Sequence, residues 1–419
     1  MNKILSKDER QDEAKIKWIK NKCCGTFNFA TGFGKTVTAL KCIKAVLNKY
    51  PTFKVLIVVP TDNLKNQWES ILLNNNLENN AVVSVINSVI KKIWEVDILV
   101  LDECHKYLSR TFVQVFKVVK YKLILGLTAT FERLDGKHVI LNKYCPVIDK
   151  ISIEEAVKNH WLSNYTEYQV LIDVDDIEDY FNYNHHFTEH FEFFSFSFPT
   201  AMSCIGPKSY IFRNKLRDSM CSNPEDKAKM GKLILYHSVQ FNKYLQKRKS
   251  FINNHTKKIE IARKIINARI NKKIITISNS IKMAESIKIG KVYSSKNKKK
   301  EAENILEEFN KCTSGVINSS KKLIEGADID GLSVAIILGL NSSLTRSVQS
   351  NGRVIRYSPG KKAEIFNIVI NNTVETRWFE ESHKNLNYIT IDEEGLEDVL
   401  AGREPKPYKK KIDNLTFRF

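Results

Sequence analysis

The chain has 419 residues, a hydrophobic share of 42% and a formal net charge of +19. That length supports two or three domains with real cores, and with no apolar run of about eighteen residues a helical membrane span is excluded. The charged N-terminus, residues 1–20, lacks an apolar h-region and argues against secretion, and the eight cysteines, without zinc-like pairing, read as reduced thiols of a cytoplasmic protein.

In chain order, the first local signal is the loop Ala30-Thr31-Gly32-Phe33-Gly34-Lys35-Thr36. Val37, Leu40, Ile43 and Val46-Leu47 follow it at helical spacing. Short apolar runs without alternation then recur at 55–59, 98–101, 123–125, 274–277, 334–338 and 365–370. Such runs fit strands buried on both faces of parallel sheets, and the helical patterns between them predict a doubly wound α/β architecture. The strands fall into two groups, about 25–150 and 270–372. The stretch between them changes texture: residues 171–200 hold seven acids, many aromatics and no Lys or Arg. Residues 214–269 read as long basic helices, and 231–300 hold nineteen Lys and Arg against Glu260 and Glu285. Charge polarised in this way points to a polyanionic partner, foremost nucleic acid.

Three segments carry chemistry. In the loop at 30–36, Gly32 and Gly34 let backbone N–H groups face phosphate oxygens, and the following helix adds its N-terminal dipole. Lys35 can reach the β- and γ-phosphates of a nucleoside triphosphate and the Thr36 hydroxyl can ligate Mg²⁺. Phe29 stands where the general phosphate-loop pattern has Gly. Asp102-Glu103-Cys104-His105 closes a buried strand, where ligands bind in open α/β sheets. Asp102 is placed to hold Mg²⁺ and Glu103 to polarise a water as general base. An isolated Asp-Glu pair is ordinarily a solvated turn, but not at the end of a buried strand that follows a phosphate loop. In Gln349-Ser350-Asn351-Gly352-Arg353-Val354-Ile355-Arg356, two arginines three apart share a helical face and suit transition-state charge.

Together these segments resemble the superfamily 2 helicases and translocases. The run at 55–59 with Pro60-Thr61, Leu64, Gln67 and Trp68 looks like their motif Ia, which touches the nucleic-acid backbone. Gly126-Leu127-Thr128-Ala129-Thr130 looks like motif III, which couples ATP state to strand contact. Arg10-Gln11 resembles the adenine-reading Q-type element, and Ser320 with Glu325-Gly326-Ala327-Asp328 looks like motif V. Ser320 replaces the usual Thr, Cys104 the usual Ala and Phe131 the common Pro. The loop, Pro60-Thr61 and the run Thr128 to Asp135 look most like the type III restriction and UvsW/RecG-related branch, and the compact Asn/Lys/Ile-rich chain looks like a phage version.

The resemblance implies two tandem RecA-like P-loop domains, at 1–165 and 269–378, with a helical, partly aromatic insertion at 166–268 and a tail at 379–419. Catalysis is expected from Lys35, Asp102, Glu103, Gln349, Arg353 and Arg356. Gln11, Thr31, Gly32, Phe33, Gly34, Lys35, Thr36, Gly326 and Asp328 are expected to hold ATP, with Mg²⁺ on Thr36 and Asp102. Pro60, Thr61, Ser320, Lys247 and Arg248 are expected to touch DNA, and Thr128 and Thr130 to couple the two events. The implied activity is ATP-driven movement on, and unwinding or remodelling of, single-strand, duplex or branched DNA in replication, recombination or repair. A double-strand translocase serving a nuclease partner and an RNA helicase are the alternatives, while Glu103 and both arginines disfavour a non-hydrolysing clamp.

Other features are read more plainly. His186-Phe187-Thr188-Glu189-His190 matches a zinc-protease spacing, but in an aromatic, acidic stretch it is expected to be a packing or surface segment. The nearby aromatics are expected to form a cap on the motor or a protein-partner surface, and the C-terminal tail is a second candidate for docking a partner. Lys243, Lys247, Arg248, Lys257, Lys258, Arg263 and Lys264 are candidate phosphate contacts.

Overall fold

The computed structural model describes residues 5–108, 112–129, 138–206, 209–320, 329, 331–340, 361–384, 386–406 and 408. Among the described residues, eight strands form in the N-terminal part: β1 (Cys24–Phe29), β2 (Val55–Val59), β3 (Ala81–Val85), β4 (Trp94–Glu95), β5 (Ile98–Asp102), β6 (Val119–Lys120), β7 (Leu123–Thr128) and β8 (Val147–Ile151). Six of them make one parallel sheet in the order β3-β2-β5-β7-β1-β8, while β4 and β6 pair separately. Successive residues of a strand point to opposite faces. Val55, Ile57 and Val59 accordingly join one buried cluster, and Leu56 and Val58 another. Both faces are covered, which is why β2 and β5 are apolar without alternation.

The helix Lys7–Lys20 begins with a capping box, Ser6 with Glu9. Its buried Trp18 donates through Nε1 to Ile124 O on β7 at 2.9 Å. Arg10 clamps Asp149 on β8 with bonds of 2.7 and 2.8 Å, tying the helix across the sheet.

A second parallel sheet holds β9 (Asn164–Ile172), β10 (Lys273–Ser278), β11 (Lys291–Tyr293), β12 (Gly315–Ser320), β13 (Leu332–Ile337), β14 (Lys362–Ile370) and β15 (Ile389–Ile391). Their order is β11-β12-β10-β13-β14-β9-β15. Two of these strands lie outside the expected second domain. β9 falls mostly within the stretch expected to be insertion, yet pairs along its whole length with β14, from Asn164 opposite Lys362 to Ile172 opposite Ile370. β15 and the helix Glu393–Leu400 fall in the expected tail, yet bury Ile391, Leu396 and Val399 on this sheet. Buried Glu167 and Gln169 break the apolar pattern of β9. Asn367 donates to Glu167 at 2.9 Å and Thr390 to Gln169 Oε1 at 2.9 Å, so each gains a partner on a neighbouring strand.

Between β9 and β10 lie five helices: Ile177–Glu192, Phe198–Ser203, Ser209–Met220, Pro224–Asn254 and Thr256–Ala268. The first four build a small core of their own from Phe187, Phe194, Ala201, Cys204, Ile234, Phe241 and Leu245. The aromatics of 181–198 therefore pack mainly on the long helix, around Phe241, rather than capping a motor sheet. Tyr180 links this unit to the helix Val374–Ser382, because its hydroxyl accepts from Val374 N at 3.0 Å.

Candidate functional site

The in-register parallel strands bring three carboxyl ends together: Asp102 on β5 lies opposite Leu127 on β7, and Thr128 lies opposite Asn28 on β1. The phosphate loop leaves β1 at this edge. Gly32 and Gly34 have φ of +87° and +102°. At Gly34 an added Cβ would also sit 2.6 Å from Gln11 Nε2 and displace that side chain from the loop. Gly34 caps the helix Lys35–Lys49 with no side-chain hydrogen bond, which leaves backbone N–H groups for an anion. Gln11 is buried and donates through Nε2 to Phe33 O at 3.1 Å, so its carboxamide nitrogen braces the loop. Lys7, which the sequence did not single out, donates to Gly32 O at 2.9 Å.

Lys35 Nζ lies 3.5 Å from Phe29 O, and its charge acts on Asp102. Asp102 is buried. Its Oδ2 accepts from Trp68 Nε1 at 2.9 Å and its Oδ1 from Glu103 N at 3.0 Å. Burial, followed by the charge of Glu103, pushes the Asp102 carboxyl up to about 6, while Trp68, Lys35 and the Glu103 N–H oppose the rise. Glu103 itself has φ of +50°, a strained conformation for a residue with a side chain. Tyr107 holds the turn by donating to both Asp102 O at 2.7 Å and Val58 O at 3.0 Å. Glu103 Oε2 is 3.4 Å from His105 Nδ1, and His105 Nδ1 is 2.9 Å from Thr128 Oγ1. One imidazole thus stands between the carboxylate pair and the end of β7.

The residues fit a nucleotide with its cation. Thr31 Oγ1 is buried with no hydrogen-bond partner, Glu103 Oε2 meets only the 3.4 Å approach of His105 Nδ1, the helix N-terminus has no side-chain cap, and a buried carboxylate of raised pKa is where a cation would be favoured. Phe33 is buried against Trp161, and Thr36 lies half-buried in the first helical turn.

The other expected sites divide. Pro60 and Thr61 follow β2 at the same sheet edge, where Thr61 caps the helix Asp62–Leu73 by accepting from Leu64 N. Trp68, part of the run that resembles motif Ia, is buried and turned to Asp102. Ser320 ends β12 and is buried. Lys247 is exposed beside Tyr183 and Tyr244. Arg248 is half-buried, with its guanidinium over the Phe187 ring at 4.1 Å, where the two helices pack. Lys258 is fully buried on Glu375 at 2.7 Å and Leu338 O at 3.0 Å, and Arg263 donates to Ser286 O and Ile287 O. Lys257 and Lys264 pair with Glu393 and Glu397. Thr130, Gly326, Asp328, Gln349, Arg353 and Arg356 lie outside the described residues.

A phosphate loop, a carboxylate pair at the neighbouring strand end and a second parallel sheet define a P-loop ATPase motor. Comparison with known proteins narrows the class. The family model described as "Type III restriction enzyme, res subunit" matches residues 5–93 and 75–133, and that described as "Helicase conserved C-terminal domain" matches 257–358. DNA 3'-5' translocase XPB2 of Sulfurisphaera tokodaii is 27% identical over 397 residues, covering 88% of this chain and 82% of that protein. The Hef helicase domain of Pyrococcus furiosus superposes with a TM-score of 0.52 at 16% identity, covering 88% of this chain and 97% of that one. Dbp5 of S. cerevisiae, bound to RNA and ADP BeF3, gives 0.59 at 12% identity, covering 93% and 91%. These two structures share the fold of tandem RecA-like domains. The two family models match both halves of the chain and support an ATP-hydrolysing superfamily 2 helicase that binds nucleic acid. No helix among the described residues is long and apolar enough to cross a membrane.

Proposed function

We propose that the chain is a DNA helicase or translocase that uses Mg²⁺ with ATP to move along, and to unwind or remodel, single-strand, duplex or branched DNA. The observation that carries this reading is the meeting of Lys35, Asp102, Glu103 and, through His105, Thr128 at one sheet edge. The DNA translocase related along most of the chain favours DNA.

Mg²⁺-bound ATP supplies the transferable γ-phosphoryl group and the cation that shields its charge. Lys35 and the loop N–H groups would hold the phosphates, and Thr36 and Asp102 would hold the cation. Glu103 accepts the proton of the attacking water. Arg353, Arg356 and Gln349, with Gly326 and Asp328, belong to the half that follows β12, and the arginines neutralise charge developing on the phosphoryl oxygens. The two RecA-like halves close on the nucleotide and reopen after hydrolysis. Thr128 and Thr130 relay that change to strand contacts near Pro60, Thr61 and Ser320. Differential grip in the two states moves the protein along the strand.

The test compares ATPase stimulation and strand separation on single-strand, duplex, forked and four-way DNA and on RNA. Stimulation by DNA is expected, with Lys35→Ala losing hydrolysis while keeping salt-sensitive binding. Stimulation by RNA alone overturns the DNA reading, and robust hydrolysis by Lys35→Ala overturns the site.

A further inference from the structure

The helical unit between the sheets places three metal-ligating side chains together, with a fourth, His237, beside one of them. His186, Glu189 and His190 lie at i, i+3 and i+4 on the helix Ile177–Glu192 and share one face. Their ligand atoms lie within 4.8 Å of one another, and His186 Nδ1 is 3.2 Å from Glu189 Oε2. The fourth group comes from the long helix Pro224–Asn254: His237 Nδ1 is 3.1 Å from His190 Nδ1.

That last distance says most. In a neutral imidazole one ring nitrogen donates and the other accepts. Two Nδ1 atoms can meet in only two favourable ways. Either one ring takes the Nδ1–H tautomer and donates to the other, or both lone pairs face a shared cation. Zinc–nitrogen bonds are about 2.0–2.1 Å, so two nitrogens 3.1 Å apart subtend roughly 100° at a shared ion, close to a tetrahedral angle. The rings are also held in place. His237 stacks on Phe193 at 4.1 Å and His186 on Tyr244 at 4.7 Å. Glu189 is exposed and brings a negative charge to the open side.

We infer that His190 and His237, completed by His186 and Glu189, bind one divalent transition-metal ion of the imidazole-preferring class, with Zn²⁺ as the representative. The ion joins the two longest helices of the unit and so fixes its shape. The zinc-protease spacing in the sequence supplies three of these ligands, and the fourth, His237, lies 47 residues from His190 on another helix. No hydrolytic role is implied.

The test uses the full chain, stripped with a chelator and titrated with Co²⁺ and then Zn²⁺. One equivalent is expected, with ligand-field bands of nitrogen and oxygen ligands and no strong sulfur charge transfer, which separates the site from the eight cysteines. His237→Phe keeps a ring on Phe193 and removes the ligand. It is expected to weaken Zn²⁺ by more than the roughly 10–100-fold that loss of a supporting hydrogen bond costs. Helical circular dichroism of the metal-free variant separates misfolding from ligand loss, and His186→Gln, on the less buried side, serves if His237→Phe does not fold. Absence of a stoichiometric ion, sulfur-dominated spectra, or undiminished binding in the folded variant overturns the inference.

Discussion

Trp68 Nε1 donates to Asp102 Oδ2 at 2.9 Å, so the helix that follows β2 reaches across the sheet edge to the carboxylate that ends β5. The bond favours the ionised carboxylate, against the burial that pushes the group up to about 6. An acid whose folded pKa is raised loses its charge early as pH falls. ATPase kcat/KM is therefore expected to drop as pH falls through about 6, and saturating Mg²⁺ is expected to move that limb lower because a cation favours the ionised form.

Trp68→Phe removes the donor and keeps most of the packing. Its acid limb is expected to move to higher pH, and its Mg²⁺ requirement to rise on the order of tenfold, as for loss of a hydrogen bond to a charged group. A purely structural role for Trp68 would lower activity without moving the pH profile, which a pH series at several Mg²⁺ concentrations distinguishes.

His105 connects Glu103 to Thr128. His105→Gln and Thr128→Val are each expected to reduce stimulation of the ATPase by nucleic acid more than basal hydrolysis. In the double variant the losses are expected to be non-additive, with a coupling of about 0.5–3 kcal/mol. Additive losses confined to basal hydrolysis would refute the link.

Lys258 and Glu375 form a fully buried pair. Lys258→Met leaves a carboxylate with no partner charge and is expected to destabilise by about 3–5 kcal/mol, whereas Lys258→Met with Glu375→Leu is expected to recover most of the loss. Chemical denaturation reads both. Because the ammonium is enclosed, unchanged nucleic-acid affinity of the folded double variant is also expected.

Phe241 is fully buried where Phe187, Phe191, Phe194 and Phe198 converge. Phe241→Ala is expected to cost about 3–5 kcal/mol and to loosen the helical unit selectively. Limited proteolysis should then cut first within 177–254, and cleavage beginning in either sheet would contradict a separate core.

The phosphate loop, the carboxylate pair and most of the buried strands were legible in the sequence because each is encoded by adjacent residues. Glycines permit the positive φ at 32 and 34, and continuous apolar runs mark strands covered on both faces. Where neighbours along the chain did not hold the information, the reading stopped or erred. β9 looked like insertion because the partners of Glu167 and Gln169, namely Asn367 and Thr390, stand some two hundred residues away. Lys258 looked like a phosphate ligand because composition records a charge but not the Glu375 it meets. Trp68 on Asp102 and His190 on His237 are of the same kind: sequence supplied the donor and ligand types, and only the packing of distant elements decided which atoms came within bonding distance.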